Sequence, residues 1–445
     1  MSPQKQKLNW IEPLNLAQKI ADNYGAESWI FLYSSLSSEI KNSRSIIALF
    51  PQQELILDNL SQLKNTLKPE ESWLGYISYE ASEDKSTTKK SFINLPKIWL
   101  LNFALILEFD HDTKTVEACF SKQEQLDEVL NYQTIFVEKK SKIENRIPNF
   151  ASKNNAPNLS DKTDKKIQIT NFASNFSDDE YMREIENIRG MIQSGDFYQA
   201  NLTRKFFGNI NIEKQSDLFS LFLKLDKTSP ANYSSFIKLQ DNFIISSSPE
   251  LFLSIKNREI ISCPIKGTAP RSNDLKQDLQ NKKDLQNSDK ERAENLMIVD
   301  LVRNDLSRVC KAGSVMVKNL FHITSYKTLH HMSSEISGKI ANQFNIVDAM
   351  QACFPAGSMT GAPKIKAMEI IAQKEKINRG IYSGAIGYFK GDEANLSVVI
   401  RTLICQKNKF EFQVGGAITF DSVARAELEE TEIKAQAIKK VLEIL

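Results

Sequence analysis

The sequence predicts an α+β fold, with large antiparallel sheets and helices packed outside them. Three observations carry this: short apolar runs of strand length recur along the chain, well-signalled amphipathic helices lie between them, and strands follow one another in hairpin-like succession near the C-terminus. At 445 residues the chain exceeds what one small core organises, so two domains or one elaborated domain are expected.

The first 147 residues supply apolar runs such as Trp29-Ile30-Phe31-Leu32-Tyr33, Ser45-Ile46-Ile47-Ala48-Leu49-Phe50 and Trp73-Leu74-Gly75-Tyr76-Ile77-Ser78-Tyr79, which suit buried strands and carry no obvious chemistry. From Pro148 the chain turns polar and rich in Asn, Lys and Ser, too poor in apolar residues to pack, which places an inter-domain linker at 148–176. The second domain, 177–445, opens with a helix. Ser177 is its N-cap, Glu180 completes a capping box, Tyr181, Ile185, Ile188 and Ile192 form the apolar stripe, and Gly195 stops it.

Strands are expected at Phe243–Ser247 and Glu259–Cys263, followed by a charge-mixed insert over Ser272–Lys290, expected as a mobile surface segment that runs into a helix. The last hundred residues read as a helix opened by Pro363, strands at Ser383–Phe389, Leu396–Cys405 and Phe410–Val414, and a terminal helix from about Ser422.

Composition narrows the function. Fifty-seven basic residues nearly balance 55 acidic ones, and no basic run interleaved with aromatics appears, so nucleic acid has no electrostatic footprint. Five scattered cysteines without a Cys-x-x-Cys pair read as reduced core residues rather than zinc ligands. The N-terminal stretch MSPQKQKLNWIEPLNL lacks the zones of a signal peptide, and no segment has the length of a membrane span; a cytoplasmic protein is expected.

Two acidic pairs, Glu291 with Glu294 and Glu427 with Glu430, stand three residues apart on expected helices, so each pair shares a face. Either pair alone also fits a solvated helix face. Were the two helices to meet, their oxygens would suit a hard cation of the magnesium type. Two glycine-rich segments, PAGSMTGAP (355–363) and VGGAITFD (414–421), each lead into a helix and suit either an anion-binding turn or a plain tight turn. Glu250, directly after Pro249 at the end of an apolar strand, has the setting of a partly desolvated carboxyl with a raised pKa, or of an exposed turn residue. Lys266, between an apolar pair and a glycine, suits either a neutral nucleophilic amine or a surface lysine.

Taken together, SSPELF, PIKGTAPR, ERAENLMIVDLVRNDLSRV, HHMSSEISG, CFPAGSMTGAPK, YSGAIGYF and VGGAITFDSVARAELEETEIKA resemble, in this order, the chorismate-binding enzymes. That family includes anthranilate synthase component I, aminodeoxychorismate synthase component I, isochorismate synthase and salicylate synthase. The likeness covers residue 177 to the C-terminus, with a weaker echo in WLGYISYE.

The resemblance implies Glu294 and Glu430 as ligands of Mg2+, supported by Glu291 and Glu427, and Glu250 as the general acid. It implies chorismate binding through His331, Ser358, Arg401, Lys434 and the backbone of Gly415 and Gly416. Lys266 makes aminodeoxychorismate synthase component I the nearest subfamily, since anthranilate synthases usually carry alanine at that place. A water-activating lysine is replaced here by Gln199. This implies a transferase making 4-amino-4-deoxychorismate for 4-aminobenzoate and folate synthesis, with anthranilate synthase component I as the alternative. Ala269 departs from the arginine common in the PIKGT block, although Arg271 is kept. No LLES-type segment is present, so tryptophan inhibition is not expected. No Gly-x-Cys-x-Gly elbow is present either, so ammonia is expected from a separate glutamine amidotransferase subunit.

Overall fold

The computed structural model describes residues 3–36, 43–68, 70–82, 89, 91–132, 167–212, 214–326 and 329–444. Its described strands, twenty in number, join into one antiparallel network with the helices outside. Among the described residues no helix is long and apolar enough to cross a membrane.

Period-two alternation explains the layers. In the strand Trp29–Tyr33, Trp29 and Phe31 enter a core shared with the helices Pro13–Asn23 and Gln215–Thr228, whereas Ile30 points to the opposite face. There it joins Ala48, Ile237, Ile244 and Ile404 from one part of the network and Leu74, Tyr76, Trp99, Leu101 and Ile386 from another, a second core enclosed between sheet faces. A third core packs the helices Asp289–Ser307 and Ile346–Cys353 on the strands around Leu253 and Leu396.

The two halves of the chain are hydrogen-bonded into one another. Trp29–Tyr33 pairs with Tyr233–Leu239, and Ser72–Ile77 pairs with Ala385–Lys390. Residues 148–166 of the expected linker lie outside the described residues. Its end is not a linker: Gln168–Ser174 is a strand paired with Gln199–Asn211, because Ile169 and Phe172 pack against the first core.

The helix Asp178–Gln193 begins as its capping box requires, with Ser177 accepting from Glu180 N and Glu180 reaching back to Ser177 N, an arrangement that contributes about 1 kcal/mol. Two expectations change downstream. The insert expected over 272–290 is a helix, Leu275–Asn287, whose N-cap Asp274 accepts from Lys276 N and Gln277 N and which buries Leu285. The expected strand Leu396–Cys405 is two strands, Glu393–Val398 and Thr402–Gln406, broken at Arg401 with φ 50°. The terminal helix runs Ala424–Val441. All five cysteines are free; Cys310, Cys353 and Cys405 are core residues, while Cys119 and Cys263 are half-buried.

Candidate active site

Glu250 follows the strand Asn242–Ser248 and is fixed by its backbone, with Val398 N donating to its carbonyl at 3.0 Å. The residue is 4 % exposed, and Ser358 Oγ donates to its Oε1 at 2.5 Å. Burial pushes its pKa up to about 7, against the opposing pull of the Ser358 hydrogen bond and the Lys266 and Lys434 charges. A carboxyl of this kind holds a proton near neutrality and can release it, which is what a general acid does.

Lys266 lies on the strand Ile265–Pro270, which pairs with Leu329–Lys339 so that Thr268 faces His331. The register slips between Ile265 and Thr268, and Gly267 takes φ +87°, a bulge that re-aims the Lys266 side chain. A Cβ on Gly267 would fall 2.9 Å from Glu291 Oε2, so glycine is needed there on two counts. The amine has no hydrogen bond or ion pair among the described residues. Desolvation lowers its pKa, with Lys434 acting in the same direction and Glu294, Glu250 and Glu430 opposing.

The carboxylates of the two acidic helices come within electrostatic reach of one another. Asp289–Ser307 packs on the lysine strand and carries Glu291 and Glu294, while from Ala424–Val441 the Glu430 charge acts on Glu291 and Lys266, and Glu427 feels Glu294. Burial and then the Glu294 charge raise the Glu291 pKa; burial also raises that of Glu427, countered by the Ser422 hydrogen bond and reinforced by Glu430. Ser422 Oγ donates to Glu427 Oε1 at 2.8 Å, which leaves Oε2 buried without a partner. Burial works to raise the Glu430 pKa too, but Lys434 at 2.6 Å outweighs it and leaves the pKa lowered. Lys290 Nζ stands 3.9 Å from Glu294 Oε1. Among the described residues no three His, Cys, Asp or Glu side chains converge into a metal cage, so the four carboxylates expected to gather on one ion are neighbours rather than a closed set.

Gly415 and Gly416 are not in a turn. Both lie in the strand Lys409–Ile418, opposite Thr203 and Leu202, and neither has a positive φ. Their glycine identity answers close approach instead: a Cβ on Gly416 would sit 3.0 Å from Glu427 Oε2. Lys434 Nζ donates to Gly415 O at 2.9 Å, which ties the acidic helix to this strand.

On the other side of Glu250, Arg401 donates to Ser229 Oγ at 3.3 Å, and burial lowers its pKa to about 10. His331 is 3 % exposed with both ring nitrogens unpartnered, edge-on to Tyr326 at 5.0 Å. Burial, then the Arg401 and His330 charges, push its pKa down to about 3, so it is neutral at physiological pH. Each of the sequence-named site residues thus lies in one electrostatically connected region. A cavity of about 800 Å³ lined by Tyr33, Arg44, Asn232, Lys256 and Tyr388 lies apart from them.

Several buried polar residues support the site, of which only Gln199 is singled out by the sequence. Asn201 Nδ2 donates to Ser358 O at 2.6 Å, and Gln199, on the same face of its strand, has both amide atoms buried without partners. Arg379 is bonded to Glu375, Met359 O and Asn201 O beneath the Ser358 loop. Lys364 holds the same loop from its other side.

Comparison with known proteins bears on this region. A family model described as chorismate binding enzyme matches residues 22–440. The chain is 40% identical over 276 residues to aminodeoxychorismate synthase component 1 of Escherichia coli, covering 62% of this chain and 60% of that protein, so the match spans only part of the relative's length. It is 32% identical over 384 residues to anthranilate synthase component 1 of Bacillus subtilis, covering 83% of this chain and 73% of the relative. Among solved structures, anthranilate synthase component I of Streptococcus pneumoniae superposes with TM-score 0.73 at 27% identity, covering 91% of this chain and 93% of that one. The menaquinone-specific isochorismate synthase of Escherichia coli, with TM-score 0.73 at 16% identity over 99% and 95% of the two chains, shares the fold.

Proposed function

We propose, from the premise that the chain belongs to the chorismate-binding enzyme family, that it converts chorismate and ammonia to 4-amino-4-deoxychorismate in the cytoplasm. One observation carries the choice among the family's reactions. Lys266 is half-buried, burial lowers the pKa of its amine, and the amine has no hydrogen-bond partner among the described residues and lies in the field of the Glu250 acid and of Glu294 and Glu430 on the acidic helices. A lowered pKa makes the unprotonated, nucleophilic form of the amine easier to reach, and an amination by direct attack of ammonia has no use for it.

The reaction then runs in two displacements. The Lys266 nitrogen adds to ring C2, the ring double bonds shift, and the C4 hydroxyl departs as water with the Glu250 proton. Ammonia next bonds to C4, the double bonds shift back, and the C2–nitrogen bond breaks to return Lys266 as a neutral amine. The new C4 ammonium gives a proton to the Glu250 carboxylate, which restores the acid. Chorismate and ammonia become 4-amino-4-deoxychorismate and water. Arg401, Ser358, neutral His331 and the Gly415–Gly416 backbone bind and orient the substrate.

The acidic cluster suits Mg2+. Glu427 Oε2 is buried and unpartnered, and burial with mutual repulsion raises the pKa of Glu291 and Glu427, both of which a divalent cation relieves. Magnesium asks for only one or two protein carboxylates alongside water and substrate oxygens, so neighbours suffice where a closed cage is absent. Glu294 and Glu430 would hold it, with Glu291 and Glu427 supporting, and when bound it supplies charge neutralisation for the substrate carboxylate. Glu294→Gln and Glu430→Gln are each expected to move the Mg2+ midpoint of activity upward by roughly 10- to 100-fold. A titration curve unchanged from wild type would remove that residue from the metal site.

The ammonia source in this reading is a separate glutamine amidotransferase subunit that shields ammonia from protonation in bulk water. The test is product analysis with purified chain, chorismate, Mg2+ and ammonium salt. The expected product yields 4-aminobenzoate only after a lyase is added, and glutamine in place of ammonium gives none. Direct release of fluorescent anthranilate would instead support anthranilate synthase component I, whose relatives are also similar to this chain.

A further inference from the structure

The proposed acid Glu250 depends on Ser358, and Ser358 sits on a loop, 354–363, that needs an external anchor. The helix Lys364–Lys374 follows this loop, and its first residue supplies one. Lys364 Nζ donates to Asp305 Oδ2 at 2.6 Å, Cys353 O at 2.8 Å and Pro355 O at 2.8 Å, so all three ammonium protons are used. Both partners are largely buried, at 12 % and 6 % side-chain exposure.

A lysine at the first position of a helix opposes the helix dipole, and this helix has neither a side-chain N-cap bond nor an acid in its first turn. Helix stability therefore does not explain it. Asp305 is in the last turn of the helix Asp289–Ser307, whose first turns carry Glu291 and Glu294. The same helix presses on the loop at Gly357, where a Cβ would fall 2.8 Å from Leu301 Cδ2. Glu250, Ser358 and Asp305 line one void of about 10 Å³, so the anchor lies immediately behind the acid.

We propose that Lys364 and Asp305 are positioning residues: their ion pair registers the Ser358 loop against the acid-bearing helix and so holds the Ser358 hydroxyl on Glu250. This rests on the reading of Glu250 as the acid. It goes beyond that reading by assigning the control of the acid to a pair that touches neither substrate nor metal.

The test is a double-mutant cycle on ammonia-dependent kcat/KM with Lys364→Met, Ser358→Ala and both together. Each single variant is expected to lose on the order of 10²-fold, the cost of a catalytic contact misplaced by about an ångström. The double variant is expected to be no slower than the slower single, and both singles are expected to move the basic limb of the pH profile upward by removing the same hydrogen bond. The other charges facing Glu250, those of Lys266, Lys434 and Arg401, are intact in both. Losses that multiply in the double variant, or a basic limb unmoved in Lys364→Met, would overturn the proposal. Should Lys364→Met fail to fold, Asp305→Asn takes its place in the same cycle with the same two outcomes. Wild-type product identity tests the function separately, because the coupling is measured on whichever product forms.

Discussion

Lys266→Ala is expected to lower formation of 4-amino-4-deoxychorismate by roughly 10⁴-fold, about 5 kcal/mol of transition-state stabilisation, which is the scale of removing a covalent nucleophile. The cause is specific: without the amine no bond forms at C2, and the C4 hydroxyl has no electron push behind its departure. The vacated volume lies between Glu250 and the acidic helices, so ammonia that enters can attack C2 directly, and the residual flux is expected to shift toward anthranilate-type product. Turnover and product both measured by chromatography check this. Wild-type rate and product in the alanine variant would make Lys266 a structural lysine. Its placement on a bulged strand argues against that role, since the bulge interrupts the ladder to re-aim this one side chain.

Glu250→Gln is expected to cost about 10²- to 10⁴-fold in kcat, the usual contribution of a positioned general acid. Its pH dependence identifies the cause. Wild-type activity requires the protonated carboxyl, so it should fall as pH rises through about 7, whereas the glutamine variant should lack that basic limb. The contribution of this proton to stability falls in the same direction. The folded-state pKa, about 7, is raised above the ordinary 4.5, so the folded chain binds this proton more tightly than the unfolded one. That contribution to stability is full below about pH 4.5 and is lost as pH rises to about 7. At pH 8 the neutral amide avoids the buried charge, and the variant should melt above wild type by calorimetry. A variant slower at every pH with the limb intact, and no more stable at pH 8, would place the acid elsewhere.

Much of this site was legible in the sequence because its parts are local. The capping box at Ser177, the acidic pairs on their helices and the proline before Glu250 are short-range signals, and the structure realises each where it was read. Partners across the chain were not legible. Gln199, Asn201, Thr203 and Lys205 alternate along one strand, a pattern that ordinarily marks a solvent face, yet all four are buried. Thr203 Oγ1 donates to Glu375 at 2.6 Å, and Lys205 pairs with Glu411 at 2.8 Å; these acids come from residues more than 170 positions away. Periodicity reports which residues share a face and says nothing of what covers it. The same limit hid the strand Gln168–Ser174, whose few apolar residues adjoin a long polar stretch, and placed Gly415 and Gly416 in a turn when their small size serves a neighbouring carboxylate. The role of Lys364 was hidden for the same reason, since its ion-pair partner Asp305 lies 59 positions away on another helix.

The most direct measurement is the mass of the Lys266-containing peptide after the enzyme is mixed with chorismate and Mg2+ in the absence of ammonia, then quenched and digested. A peptide heavier by chorismate less one water, with the added mass on Lys266 and lost when ammonium is supplied, is the result the covalent account predicts. An unmodified Lys266 peptide from enzyme that aminates chorismate at C4 in a parallel sample would contradict it.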